Sequence, residues 1–220
     1  MDVKIIHHPA NEDSIRCAKE LQGLLPFESN LHAGPTSDSL PRNDYVILEN
    51  DEWDQTNNPP NPFLLGNMLA CFYAHYTIWE KITENTLIFE DDARQINSYD
   101  VSILENFDGD VLNLGAPINC GKSNNLQDIK EMRLSKHKGV KRRTRKGSFL
   151  YGAHAYLLTP KGAEKLLKVS DFGRLLRPND VMCQVGTVDL FDYFPHPFHQ
   201  DPQTRESTII SGIARFNRIF

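Results

Sequence analysis

The chain has 220 residues, 40% of them hydrophobic and 10% aromatic, and a formal net charge of -5 at pH 7. That is enough length for one domain with a sizeable core, and the acidic balance excludes nucleic-acid binding through overall charge. No run approaches the roughly 20 apolar residues of a membrane span, and the start Met1-Asp2-Val3-Lys4 lacks a signal peptide's apolar stretch, so a soluble protein of the cytoplasm, bacterial or viral in a host cell, is expected.

In chain order, Val3 to Ile6 predicts a strand, and Ser14 caps a helix carrying Ile15, Ala18, Leu21, Leu24 and Leu25 on one face. Between them His7-His8-Pro9-Ala10-Asn11 forms a strand-to-helix turn, a usual place for ligand contacts in α/β folds. Gly34 to Pro62 is rich in Pro, Asn and Asp and reads as a surface excursion interrupted by the strand candidate Tyr45-Val46-Ile47-Leu48. A core helix follows, in which Leu65, Leu69, Phe72, Tyr76 and Trp79 recur at helical spacing and Cys71, His75, Ile78 and Ile82 widen the apolar face. His75 within that face is expected to be a hydrogen-bonded structural histidine. Cys17, Cys71, Cys120 and Cys183 are widely separated and read as reduced, structural thiols.

Leu87-Ile88-Phe89 predicts a buried strand of a parallel sheet, and it ends in Glu90-Asp91-Asp92. Strand alternation would point Glu90 and Asp92 one way and Asp91 the other. Such a concentration of carboxylates calls for a cation or strong donors, because repulsion otherwise raises a pKa or disorders the turn. A hard divalent ion, Mn²⁺ or Mg²⁺, suits these oxygens; an acidic helix N-terminus or a solvated loop is the alternative.

Asp110 to Gly115 predicts a further strand, after which residues 117–147 turn polar and carry Lys136-His137-Lys138 and Lys141-Arg142-Arg143-Thr144-Arg145-Lys146. Without interleaved aromatics this cluster does not suit single-stranded nucleic acid; it is a solvated loop, or a lid whose cations meet a diphosphate or an acidic acceptor. Tyr151 to Leu158 predicts a strand, Thr159-Pro160 opens a helix with Ala163, Leu166 and Leu167 on one face, and Pro178-Asn179-Asp180 opens another segment. Leu190 to Phe194 and Pro195-His196-Pro197-Phe198-His199-Gln200 complete the ordered part.

The series Gly66, Ala70-Cys71, His75 and Trp79; Leu87 through Ala93; Leu112-Asn113-Leu114-Gly115; Gly152 through Tyr156 with Lys161-Gly162-Ala163 and Leu166-Leu167; Pro178-Asn179-Asp180; and Gln203 through Ile209 resembles glycosyltransferase family 25, the group of lipooligosaccharide and collagen galactosyltransferases. The N-terminal third departs from that pattern: His7-His8-Pro9 stands where members carry an Asn-Leu pair, and Arg16 is the nearest arginine. The resemblance implies a GT-A fold, one α/β domain with a mostly parallel sheet flanked by helices. Residues 1–115 would bind a nucleotide sugar, 116–150 form a flexible basic loop and 151–220 make the acceptor-side half.

It further implies inverting, metal-dependent transfer of a hexose, galactose or glucose, from a UDP-sugar to a glycan acceptor such as a lipopolysaccharide. Within that framework Glu90 holds the first place of the Asp-x-Asp motif and faces the donor's ribose, Asp92 ligates Mn²⁺ or Mg²⁺ alongside Glu90, and Asp91 steadies the turn or touches the sugar. His199, with His196 second, supplies a further ligand, or both are surface residues between prolines; His7 and His8, if not plain surface-turn histidines, flank the nucleotide with Arg16, and His154 lines the pocket or is structural. Asp180 is the base that takes the acceptor's proton, or else a plain helix cap. The competing classes are a non-catalytic nucleotide- or glycan-binding module and a metal-dependent phosphoryl or nucleotidyl transferase; the latter needs further carboxylates converging on a second cation.

Overall fold

The computed structural model describes residues 1–36, 39, 62–117, 135–146, 148, 150, 152–170, 183 and 185–201. The strand expected at Tyr45–Leu48, Cys120, the segment Pro178–Asp180 and the residues from Gln203 onward lie outside them. In chain order the elements are β1 (Asp2–His7), α1 (Glu12–Leu24), β2 (Asn30–Ala33), α2 (Pro62–Trp79), β3 (Thr86–Glu90), β4 (Ala93–Gln95), α3 (Val101–Glu105), β5 (Val111–Asn113), β6 (Gly139–Arg142), β7 (Ala155–Leu158), α4 (Pro160–Ser170), β8 (Leu190–Phe194) and β9 (Phe198–Gln200). No helix among the described residues is long and apolar enough to cross a membrane.

Seven strands form one sheet in the order β2-β1-β3-β7-β5-β8-β6, and β4 pairs with β9 in a small antiparallel sheet. Strands β2, β1, β3, β5 and β8 share a direction, whereas β7 and β6 run against them. The expected α/β architecture with mostly parallel strands is therefore present. One correction concerns β3, which is parallel to β1 but antiparallel to β7 on its other side. Both neighbours pair with the same run of Thr86 to Phe89, so the local sequence carries no mark of the change in direction.

Alternation along the strands builds two cores. Val3, Ile5, Leu87, Phe89, Leu112, Ala155 and Leu157 pack on one face of the sheet with Ala18, Leu21 and Leu25 from the α1 end and Leu104 of α3. Ile88, Val111, Tyr156, Leu158 and Leu190 pack on the other with Phe72, Ile78 and Trp79 of α2 and Ala163 and Leu166 of α4. Strands buried on both faces read as continuous apolar runs, the pattern that marked β3 and β7 in the sequence. Helix α1 begins one turn before its expected cap: Asn11 accepts the Ser14 N–H, and Ser14 is buried inside the first turn. Leu24, expected on the apolar face, is 67% exposed because it closes the helix beyond the sheet.

Part of the basic segment is also regular. Gly139–Arg142 is the edge strand β6, paired with β8, Arg142 bridges to Asp189 and Arg143 to the buried Asp192.

Candidate active site

Parallel pairing sets Ile6 opposite Glu90, so the turn after β1 and the acidic triplet after β3 lie side by side at one end of the sheet. Ligands of open α/β sheets sit beyond such carboxyl ends. The extended chain stops at Glu90 and Asp91-Asp92 forms a turn, so the alternation expected to pair Glu90 with Asp92 does not reach Asp92. Each acid is instead held by a different element.

Glu90 accepts a hydrogen bond from His75 Nε2 of α2 at 3.2 Å, and its backbone N–H donates to the His154 carbonyl at 2.9 Å. His75 is fully buried and hydrogen-bonded at both ring nitrogens, as expected of a structural histidine. Asp91 is buried and accepts from the Ser14 hydroxyl, which in turn accepts the His8 N–H at 2.7 Å. Asp91 thus fastens the end of β3 to the first turn of α1. Asp92, also buried, accepts from Gln200 Nε2 of β9 at 2.7 Å, and its carbonyl accepts the Asp201 N–H at 3.0 Å.

The far side of this end is built by a close backbone crossing. A Cβ on Gly115 would collide with the Gly152 carbonyl and come within 2.7 Å of His154 Nε2, while a Cβ on Gly152 would meet the Gly115 backbone. Only glycines let the end of β5 and the entry to β7 touch, and the contact seats the His154 ring. His154 is buried, and neither ring nitrogen has a hydrogen-bond partner of good geometry among the described residues. Burial lowers its pKa to about 4, the Glu90 charge opposing this and His199 and His196 adding to it. His154 is therefore neutral at pH 7.

A pH dependence of stability follows. Between an unfolded pKa near ~6.5 and the folded value of about 4, the unfolded chain binds a proton that the folded chain refuses. Stability contributed by neutral His154 is thus present above that window and falls as pH drops through it, by about 3 kcal/mol at most. Urea unfolding at pH 7.5 and pH 4.5 should show this loss, and His154→Gln should remove most of the difference.

The structure brings together the turn of His7 and His8, all three acids of the triplet, and His154. His7 Nδ1 is buried without a hydrogen-bond partner among the described residues. Arg16 is placed apart from them: it is more than half exposed on α1 and pairs with Asp13 at 2.8 Å and Glu20 at 3.0 Å on its own helix. His199 lies opposite Arg94 in the β4–β9 pair and is half-buried. His196 is buried with its ring at 3.6 Å from Asp192. Asp180 falls outside the described residues. Among the described residues, Cys71, His75 and Glu90 bring one ligand atom each within 4.8 Å of one another; neither Asp92 nor His199 belongs to that group.

Ser14, Gln200 and Tyr156 escaped the sequence reading as site residues. Ser14 stands where a cap was expected, Gln200 alternates with His199, and Tyr156 sits in an apolar run; nothing local marks their partners, which lie 77, 108 and 81 positions away.

Comparison with known proteins gives one family. Residues 47–182, more than half of the chain, match the model described as glycosyltransferase family 25 (LPS biosynthesis protein). No curated protein matches the chain. Among solved structures, a galactosyltransferase LgtC in complex with donor and acceptor sugar analogs aligns over 100% of this chain and 95% of its own, with 14% identity and a TM-score of 0.40.

Proposed function

The chain belongs to glycosyltransferase family 25 and is a glycosyltransferase, and from that premise we propose that it transfers a hexose, galactose or glucose, from a UDP-sugar to a glycan acceptor with inversion at the anomeric carbon. The observation that carries this reading is the acidic triplet at the carboxyl end of β3, beside the turn after β1, with each carboxylate fixed by a separate element. Two imidazoles at the same end, His7 and His154, keep buried ring nitrogens that lack good partners among the described residues, and a polar donor would satisfy them.

Carboxylate oxygens are the ligands that Mn²⁺ and Mg²⁺ take, which supports a hard divalent cation at the triplet. Asp92 and Glu90 would hold the ion, with His199 as a further ligand. When bound, it would supply Lewis-acid stabilisation of the charge that grows on the leaving diphosphate. Glu90 also faces the ribose, His7 and His8 border the nucleotide, and the neutral ring of His154 lines the pocket. Asp91, engaged with Ser14, keeps the turn in place. Asp180 takes the acceptor hydroxyl's proton as the oxygen attacks the sugar carbon, the requirement of an inverting step.

The test is a panel of nucleotide sugars with Mn²⁺ or with chelator, read by thermal shift and by UDP release. One UDP-hexose should raise the melting temperature in the presence of metal, since ligand binding to the folded state alone stabilises it, and should release UDP. Purified protein that neither binds nor hydrolyses any nucleotide sugar would refute the reading.

A further inference from the structure

Behind Glu90 lies a chain of buried side chains whose donors and acceptors run in one direction. The Trp79 indole N–H donates to the Tyr156 hydroxyl at 2.9 Å; the same hydroxyl is 2.9 Å from His75 Nδ1, and His75 Nε2 is 3.2 Å from Glu90 Oε1. Trp79, Tyr156 and His75 are all buried, and the His75 and Tyr156 rings stack at 5.7 Å and 24°.

Direction follows from the inventory of donors. Indole N–H can only donate, so the Tyr156 oxygen accepts from Trp79; the Glu90 carboxylate can only accept, so the facing His75 Nε2 carries its hydrogen and Nδ1 takes that of the Tyr156 hydroxyl. A ring that accepts at Nδ1 carries its hydrogen on Nε2, and that hydrogen points at Glu90. Cys71, His75 and Glu90 sit together like a set of metal ligands, but in this tautomer the Nε2 hydrogen lies where a metal would bind. The arrangement is one of hydrogen bonds, with His75 donating to a carboxylate, the stronger kind of such bond.

We propose that Trp79, Tyr156 and His75 are positioning residues that lock the Nε2–H tautomer of His75 and thereby hold the Glu90 carboxylate in the orientation that receives the ribose of the nucleotide-sugar donor. The donor part of this proposal rests on the function proposed above. A ribose contact is remote from the bond that breaks, so it acts on substrate and transition state alike. Loosening Glu90 should therefore weaken donor binding through the ribose, and lower turnover as well because Glu90 is also a ligand of the proposed ion.

Tyr156→Phe tests this, because it keeps the ring and its stack and removes only the hydroxyl. In the wild type, nitrogen-15 NMR of the histidine rings should report His75 as the Nε2–H tautomer; in Tyr156→Phe the two tautomers should mix. Donor Kd should rise about tenfold, the scale on which outer-shell partners act on the residues they orient. His75→Gln, whose amide can still donate to Glu90, should bind donor more tightly than His75→Leu. If Tyr156→Phe fails to fold, Trp79→Phe frees the hydroxyl to rotate and should show the same tautomer mixing and weaker donor binding.

An Nδ1–H tautomer in the wild type, unchanged donor affinity in a folded Tyr156→Phe protein, or a thiolate-to-metal absorption band on adding Co²⁺ would each overturn the proposal. A wild-type protein that binds no nucleotide sugar refutes the proposed function together with the donor part of this one. The wrong tautomer with intact donor binding refutes only the inference made here.

Discussion

Asp92→Ala should fold and yet lose metal-dependent donor binding, with turnover of a UDP-sugar reduced by about 10²–10³-fold, the scale set by removing one electrostatic partner of a developing charge. The structural cost should be modest. Asp92 accepts a side-chain hydrogen bond from Gln200 and anchors Asp201 through its backbone, which the substitution keeps; loss of the Gln200 bond should cost about 1–2 kcal/mol. Thermal shift separates the two effects: the variant should melt a few degrees lower and gain nothing from UDP-sugar with Mn²⁺. Asp180→Asn supplies the contrast, because a lost base should abolish turnover while donor binding persists. An Asp92→Ala protein that still binds donor in a Mn²⁺-dependent way would show that the ligand is elsewhere in the triplet.

Arg143→Met should be the most destabilising single change on the surface-like basic segment, by about 3–5 kcal/mol, because it strands a buried charge. The Arg143 guanidinium donates to both oxygens of Asp192, each side chain is at least 93% buried, and Asn113 donates to the same carboxylate at 2.9 Å. Burial alone would raise the Asp192 pKa, but the hydrogen bonds from Arg143, the nearby His196 ring, the Arg143 charge and the Asn113 hydrogen bond outweigh it and bring the group to about 2. A carboxylate whose folded pKa is depressed contributes stability that is present above its unfolded value, near ~3.9, and is lost as pH falls toward about 2, here about 2 kcal/mol. Urea midpoints of Arg143→Met, Asp192→Leu and the double variant make the check: the double variant should be more stable than the sum of the two losses, since it removes both charges together.

That ion pair also reaches the site. Asn113, fixed by Asp192, accepts the Gly115 N–H at 3.1 Å, so the crossing of Gly115 over Gly152 that seats His154 is tied to a buried cation from the basic run. The run looked in sequence like a solvated loop or a lid. Its periodicity gave no sign that Arg143 turns inward, because the partner that draws it in, Asp192, lies 49 positions away.

Elements with a strong apolar pattern were legible in the chain before folding was considered. The continuous runs at β3 and β7 had to be strands buried on both faces, α2 and α4 had to be helices, and the carboxylates after Phe89 had to stand at a strand end. The chain also carried the family, through short segments in a fixed order. How each acid is used came from long-range contacts instead. Alternation is a property of extended chain, and the chain turns after Glu90, so Asp91 went to Ser14 and Asp92 to Gln200 through contacts 77 and 108 positions apart. The same holds for the chain from Trp79 through Tyr156 and His75 to Glu90. A local pattern records which residues are buried and at what period, whereas the direction of a hydrogen bond depends on the donor or acceptor that folding brings to meet it.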